Sequence, residues 1–342
     1  MGQKKEHILV LRFSALGDVA MTLPAIYSLA RRRPDLKITV ATRPFFARVF
    51  QNRPSNVEIF EVDFKGRHRG IRGMLRLLGD LRRLRPTKVA DFHNVLRSWI
   101  IDWSFRLRGT SVKMLDKNRR ARRRLFSKKE SQRSYVDRYV DVVRALGYDC
   151  PLTFNSIFEG ASPKSPIEPA HPAVGVAPFA RYYNKTYPPE LMRDVCRRLA
   201  AKGVNVYLFG ARGSESDQLN QWANDHRLIH NVAGQFSLEE ELALMSRLDL
   251  MVSMDSANQH LAALAGAPVI TIWGSTTPAC GFMAYRQSAD DAIVSNLACQ
   301  PCSVAGGPVC PLGHLDCMVS LPPQRIVDRV MEKLKTVSTD RK

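Results

Sequence analysis

The sequence predicts an α/β protein made of two doubly wound parallel-sheet domains facing a cleft. Three observations lead there. The chain has 342 residues, more than one hydrophobic core ordinarily fills, so two domains of roughly 150 residues are the default. Each half alternates short apolar runs with amphipathic stretches, the pattern of strands and helices in a parallel sheet. Between the halves, residues 159–172 hold four prolines and little apolar content, the mark of a linker.

Taken in order, Ile8-Leu9-Val10-Leu11 is an apolar run ended by a polar, glycine-containing turn over 12–18, and a helical pattern follows over 21–33. That is a strand, a tight loop and a helix. Residues 38–41 and 57–60 read as the next strands, and 71–84 and 134–146 as helices. Beyond the linker, strands are expected at 173–177, 204–209, 250–253 and 269–273, and a closing helix at 324–335. The second half therefore repeats the first, as two Rossmann-like domains. The expected boundaries are 1–160 and 173–322, joined by a linker at 161–172 and followed by a closing helix and tail at 323–342.

Composition narrows the class. The chain is 45% apolar and lacks the run of about 20 apolar residues that a spanning helix needs. Its first six residues precede only a brief apolar stretch, far shorter than a secretory core, and Glu6 spoils a myristoylation pattern. The expectation is a soluble, cytoplasmic protein. Its formal charge is +19, and residues 65–133 carry 22 Lys and Arg against 5 Asp and Glu, so 17 of those charges lie in one stretch. Such a field concentrates polyanions: nucleic acid, an anionic leaflet, or an acidic glycolipid. A nucleic-acid-binding protein built on 65–133 is the alternative that charge alone leaves open.

Ligands of open parallel sheets bind at the carboxyl ends of strands, where helix N-termini present free N–H groups. Phe13-Ser14-Ala15-Leu16-Gly17-Asp18 occupies such a place. Spacing alone leaves Asp18 as either a helix cap or a general base. In the second half, 252–260 and 269–278 each give a strand followed by a loop of small polar residues. Two such loops in succession suit a diphosphate held by backbone and hydroxyl donors. No Asp-x-Asp pair occurs in the chain to hold a divalent ion. The single glycine in 13–18 argues against a dinucleotide-binding loop.

In this order the motifs resemble a family, the lipopolysaccharide heptosyltransferases, inverting enzymes of the GT-B fold. The likeness spans nearly the whole chain. It rests on Arg12-Phe13-Ser14-Ala15-Leu16-Gly17-Asp18 with Thr22-Leu23-Pro24-Ala25, on Asp91-Phe92-His93 with Arg97-Ser98, and on Asp137-Arg138-Tyr139. Lys185 before Tyr187-Pro188, and Asp255-Ser256 with His260-Leu261-Ala262-Ala263, complete it. The resemblance implies that Asp18 is the general base and that Lys185 neutralises charge on the departing diphosphate. It implies a donor site of Asp255, Ser256, Ala257 and His260 beside Ser275, Thr276 and Thr277, with Glu215 at the nucleotide ribose. The basic N-terminal domain then receives the acceptor through Ser14, Gly17, His93, Arg97, Arg119 and Arg120.

The implied donor is ADP-heptose and the implied acceptor a lipopolysaccharide inner core or related glycolipid, with no metal and no cofactor. The implied location is cytoplasmic, on the inner membrane face, with an anionic leaflet as partner and no nucleic acid. The chain departs from the family at Ala257, usually Gly, and at Ser275 and Thr277, usually Pro and Asp, which predicts altered nucleotide contacts. Residues 179–184 also lack the small hydroxyl residues often found there.

Cys299, Cys302, Cys310 and Cys317 fall within 19 residues. A CxxC pair can open a zinc site, but the second pair is spaced by six residues. Reduced thiols in a loop are the expectation, with structural zinc as the alternative.

Overall fold

A computed structural model describes residues 6–340. Met1–Lys5, read above for targeting signals, and the last two residues of the tail lie outside the described residues. The chain forms two compact units. The first holds the residues up to Asn118 together with Tyr135–Ile157; the second holds Arg119–Ser134 and the chain from Phe158 onward.

The first unit runs β1 (His7–Leu11), α1 (Leu16–Ala20), α2 (Leu23–Arg32), β2 (Lys37–Thr42), α3 (Pro44–Ala47), β3 (Val57–Glu61), α4 (Gly70–Arg83), β4 (Lys88–Asp91), α5 (Leu96–Arg106) and β5 (Ser111–Met114). Next in the chain comes α6 (Arg119–Lys128), which belongs to the second unit, and then α7 (Tyr135–Ala145), which returns to the first. The five strands are parallel in the order β3-β2-β1-β4-β5. Central β1 is buried along its whole length, as a parallel strand covered on both faces must be. Strands β4 and β5 and helix α5 were not foreseen from the sequence.

The second unit continues with β6 (Ala173–Ala177), α8 (Pro189–Ala201), β7 (Asn205–Leu208), α9 (Ser214–Ala223), β8 (Ile229–Asn231), α10 (Leu238–Met245), β9 (Leu250–Met254), α11 (Ala257–Ala265), β10 (Val269–Trp273), β11 (Ala292–Val294), α12 (Asp316–Val319) and α13 (Pro323–Asp340). Its six parallel strands are ordered β11-β10-β9-β6-β7-β8. Local chemistry sets the helix ends. Ser237 and Glu240 form a reciprocal capping box at α10, and Gly266, at φ 95°, closes α11 in the left-handed region. Buried Asp291 fastens α13 by accepting from Arg329 at 2.7 Å and Lys333 at 2.8 Å.

In each sheet the strand order reverses beside the first strand of the unit, between β1 and β4 and between β6 and β9. A crevice opens at the carboxyl edge of such a switch point because the two flanking connections leave in opposite directions. Ser14, Gly17 and Asp18 follow β1 and His93 follows β4; Lys185 follows β6 and Asp255 follows β9.

Candidate active site

At the β1/β4 edge, Asp18 lies in the first turn of the short helix α1. Its Oδ2 accepts the Ala15 N–H at 3.1 Å and pairs with Arg12 at 2.7 Å. Both contacts fall on Oδ2, which leaves Oδ1 without a partner among the described residues, and the side chain keeps 26% of its exposure. Arg12 is buried and also donates to the Phe92 carbonyl at 2.7 Å, so the carboxylate is held by a cation that is itself fixed. Asp18 is thus a capping residue and an accessible carboxylate at once.

His93 stands beside it. The Phe13 N–H donates to His93 Nδ1 at 3.4 Å, and burial followed by the Arg12 charge pushes the imidazole down to about 3. It is therefore neutral, with its proton on Nε2 directed away from that contact. Asp91 shapes the turn that carries it: Oδ1 accepts the His93 and Asn94 N–H groups at 2.8 and 2.9 Å, and Oδ2 accepts the Ser98 hydroxyl at 2.7 Å. Arg97 is exposed and lies 4.6 Å above the Phe64 ring, which packs edge-on to Phe13. Tyr139 stacks on Phe92 with ring centres 4.7 Å apart, and its hydroxyl reaches the Asp18 carbonyl at 3.5 Å.

In the second unit the β6/β9 edge is organised by Asp255. Its Oδ2 pairs with Lys185 Nζ at 2.7 Å and accepts the Thr276 hydroxyl at 2.5 Å, while Oδ1 accepts from Gln259 at 3.0 Å. Lys185 is only 14% exposed. Its alkyl chain lies against Gly306, where a Cβ would collide with the lysine Cδ and where φ is +86°; only glycine fits there. The Ser256 side chain does not cap α11, so the first N–H groups of that helix face the same edge, with the positive end of its dipole.

Asn184 ties the loops together. It is buried, its carbonyl accepts the Ser275 N–H at 2.9 Å, and its Oδ1 takes the Ser275 hydroxyl at 3.0 Å and the Gly307 N–H at 2.8 Å. The Ser275 carbonyl in turn accepts the N–H groups of Cys302 and Ser303, both at 3.0 Å. Glu215, at the start of α9, folds its Oε2 back onto the Ala211 N–H at 2.7 Å.

The sequence profile of glycosyltransferase family 9 (heptosyltransferase) matches residues 91–311, well over half of the chain and including Lys185 and both donor-loop motifs. The chain belongs to glycosyltransferase family 9. Lipopolysaccharide heptosyltransferase 1 of Pseudomonas aeruginosa is 23% identical over 314 residues, covering 86% of this chain and 85% of that protein. The solved family 9 glycosyltransferase of Veillonella parvula shares the fold with a TM-score of 0.74 at 18% identity, over 98% of this chain and 99% of that one. The E. coli ADP-heptose lps heptosyltransferase II superposes with a TM-score of 0.68 at 19% identity, over 96% and 99%. The α/β fold of two parallel sheets is that of these relatives.

Within this family 9 glycosyltransferase the structure gathers Ser14, Gly17, Asp18 and His93 at one sheet edge, with Arg97 on the helix that follows. It gathers Lys185, Asp255, Ser256, Ala257, Ser275, Thr276 and Thr277 at the other, with His260 one turn into α11. Arg119 and Arg120 are a correction. Sequence order groups them with the N-terminal half, but α6 packs on the second unit because Leu125 is buried with Cys280 and Val304, Lys129 donates to the Gln300 carbonyl at 2.9 Å, and the Gln132 N–H to the Ala279 carbonyl at 2.8 Å.

Four positioning residues were not singled out from the sequence: Arg12, Asp91, Asn184 and Gln259. The first two stood inside the quoted motifs, and Asn184 directly precedes Lys185. All seven cysteines are free thiols, and among the described residues no three His, Cys, Asp or Glu side chains converge as a metal site. Through Cys302 the cysteine loop braces the Ser275 loop.

Proposed function

We propose that the enzyme transfers a heptose from ADP-heptose to a lipopolysaccharide inner core or a related anionic glycolipid, with inversion at the anomeric carbon. The observation that carries this is Lys185, fixed by Asp255 beside the uncapped start of α11, a cation and N–H dipoles at one strand edge in a family of heptosyltransferases. The acceptor oxygen bonds to the anomeric carbon as the bond from that carbon to the diphosphate oxygen breaks. Asp18 Oδ1 takes the hydroxyl proton, and the electron pair leaves with ADP. Negative charge grows on the diphosphate, where Lys185 and the α11 N–H groups stabilise it more in the transition state than in the ground state. Ser256, Ala257, Thr276, Thr277 and His260 line the donor, and Glu215 reaches the ribose.

ADP-heptose at 100 times its dissociation constant is expected to stabilise the enzyme against unfolding by about 2.7 kcal/mol, and to be consumed only when the glycolipid is added. Protection by duplex DNA but not by ADP would instead favour the nucleic-acid reading of the basic region. Because Lys185 and the helix dipole fill the role of a divalent ion in this mechanism, turnover is expected to be unchanged in EDTA. Loss restored by magnesium or manganese would refute that mechanism; loss restored only by zinc would assign a folding role to the cysteine loop.

The exposed arginines of α6 are proposed to meet the anionic acceptor at the enzyme's place on the cytoplasmic face of the inner membrane. Each exposed cation near an anionic surface is worth about 1 kcal/mol at most. Replacing Arg119, Arg120, Arg122 and Arg123 together by Gln is expected to lower kcat/KM for the glycolipid by roughly tenfold or more, with ADP affinity retained because these side chains are exposed to solvent. Equal loss of both would mean that the arginines support the donor loop on which the helix sits.

A further inference from the structure

On the first unit, α4 and α5 cover one face of the sheet and share a core of Leu77, Leu81, Ile101 and Phe105. The outer side of α5 is apolar, against the usual sense of a surface helix. Helix α5 exposes Leu96, Trp99, Ile100 and Trp103, and Leu107 just beyond it is 82% exposed. These positions form one helical stripe. The inward side of α5 instead takes Ser98, Asp102 and Ser104. Helix α4 adds exposed Ile71 and Leu75.

The exposed charges of residues 65–108 are all of one sign. Arg72, Arg76, Arg97, Arg106 and Arg108 are exposed, while the acids of 65–108 are withdrawn. Asp91 and Asp102 are buried, and Asp80 is paired with Arg67 and Arg83. Between Trp99, Trp103, Arg106 and Met114 lies a cavity of about 150 Å³ with Asp102 in its wall. Burial, and then the charge of Asp91, push that carboxyl up to about 8, so Asp102 adds no negative charge to the cavity near neutral pH.

We propose that this face of α4 and α5 rests in the headgroup layer of an anionic bilayer, with Trp99 and Trp103 at the acyl boundary and the flanking arginines on lipid phosphates. Tryptophan favours that boundary because its ring is apolar and its N–H polar, and arginine keeps its head in the polar layer while its stem lies along apolar surface. An apolar stripe with a cationic border is the pattern of helices that lie in the interface. A second copy of the chain is disfavoured, because a self-complementary contact sets this cationic border against itself. The inference deepens the glycolipid reading, and rests on it for its purpose but not for its test.

The full chain is mixed, without any sugar substrate, with vesicles of phosphatidylglycerol and phosphatidylethanolamine or of phosphatidylcholine alone. Of the four tryptophans, Trp222 and Trp273 are 1% and 0% exposed, so a change in emission reports on Trp99 and Trp103. The expected result is a blue shift, and quenching by brominated acyl chains, with the anionic vesicles only. Trp103→Ser with Leu107→Ser, both surface changes, should weaken partitioning about tenfold or more, leaving turnover of a delipidated acceptor and the melting temperature unchanged.

Vesicle binding without tryptophan quenching, or undiminished in that variant, would overturn the proposal. So would loss of binding only in the α6 arginine variant, or burial of these tryptophans by self-association or by a protein in place of lipid. Vesicle binding as expected, with no sugar transferred to any acceptor, would sink the proposed function alone.

Discussion

Asp18→Asn is expected to lower turnover by about 100- to 10,000-fold, the range for removal of a general base. The substitution keeps the size of the side chain and can still accept the Ala15 N–H, so the cap survives. It removes the charge that partners buried Arg12. Arg12 retains the Phe92 carbonyl, and the loss of one charge-assisted hydrogen bond costs about 2 kcal/mol. Turnover and ADP affinity are therefore to be measured well below the melting temperature of the variant, where both proteins are folded. If the well-folded Asp18→Asn variant transfers sugar at nearly the wild-type rate, Asp18 serves only to anchor Arg12 and cap α1, and the base must be sought elsewhere. His93 is a poor substitute: an imidazole pushed down to about 3 is neutral at working pH but weakly basic.

The parts of this design that the sequence revealed are those written locally. Ile8-Leu9-Val10-Leu11 is a continuous apolar run, and the strands at 250–254 and 269–273 are apolar except for Ser253 and Thr271, because interior parallel strands are buried on both faces. The loops that follow them were legible from their small polar residues. Strands β4 and β5 were not, because Lys88–Asp91 and Ser111–Met114 are four residues long and carry charged or polar ends. Helix α5 was missed for a different reason. It buries Ser98, Asp102 and Ser104 while exposing Trp99, Ile100 and Trp103, so its polarity runs against the periodicity that betrays a surface helix.

The placement of α6 was also out of reach. Chain order puts residues 119–128 in the first half, but one buried leucine and a few hydrogen bonds from the following loop seat them on the second unit. Tertiary contacts of that kind have no signature in a basic, otherwise featureless run. The pairing of Lys185 with Asp255 is likewise long-range; sequence named both residues but not their contact.

That contact makes Lys185 the subject of the second large effect. Lys185→Met is expected to lower kcat by about 100- to 1,000-fold, the usual loss when one stabilising donor is taken from a developing oxyanion. A trivial explanation must be separated from this one. Asp255 is nearly buried, and removing the partner of a buried charge destabilises by about 3–5 kcal/mol, here moderated by the Thr276 and Gln259 donors that remain. Adding Asp255→Asn to the Lys185→Met variant removes the orphaned charge and should recover most of the melting temperature. The two readings then diverge, because contacting residues couple in such a cycle. If Lys185 acts on the leaving diphosphate, the double variant stays as slow as the single one despite its restored stability. If the lysine only balances Asp255, turnover returns along with stability, and the positive charge at the β6/β9 edge must come from the α11 dipole alone.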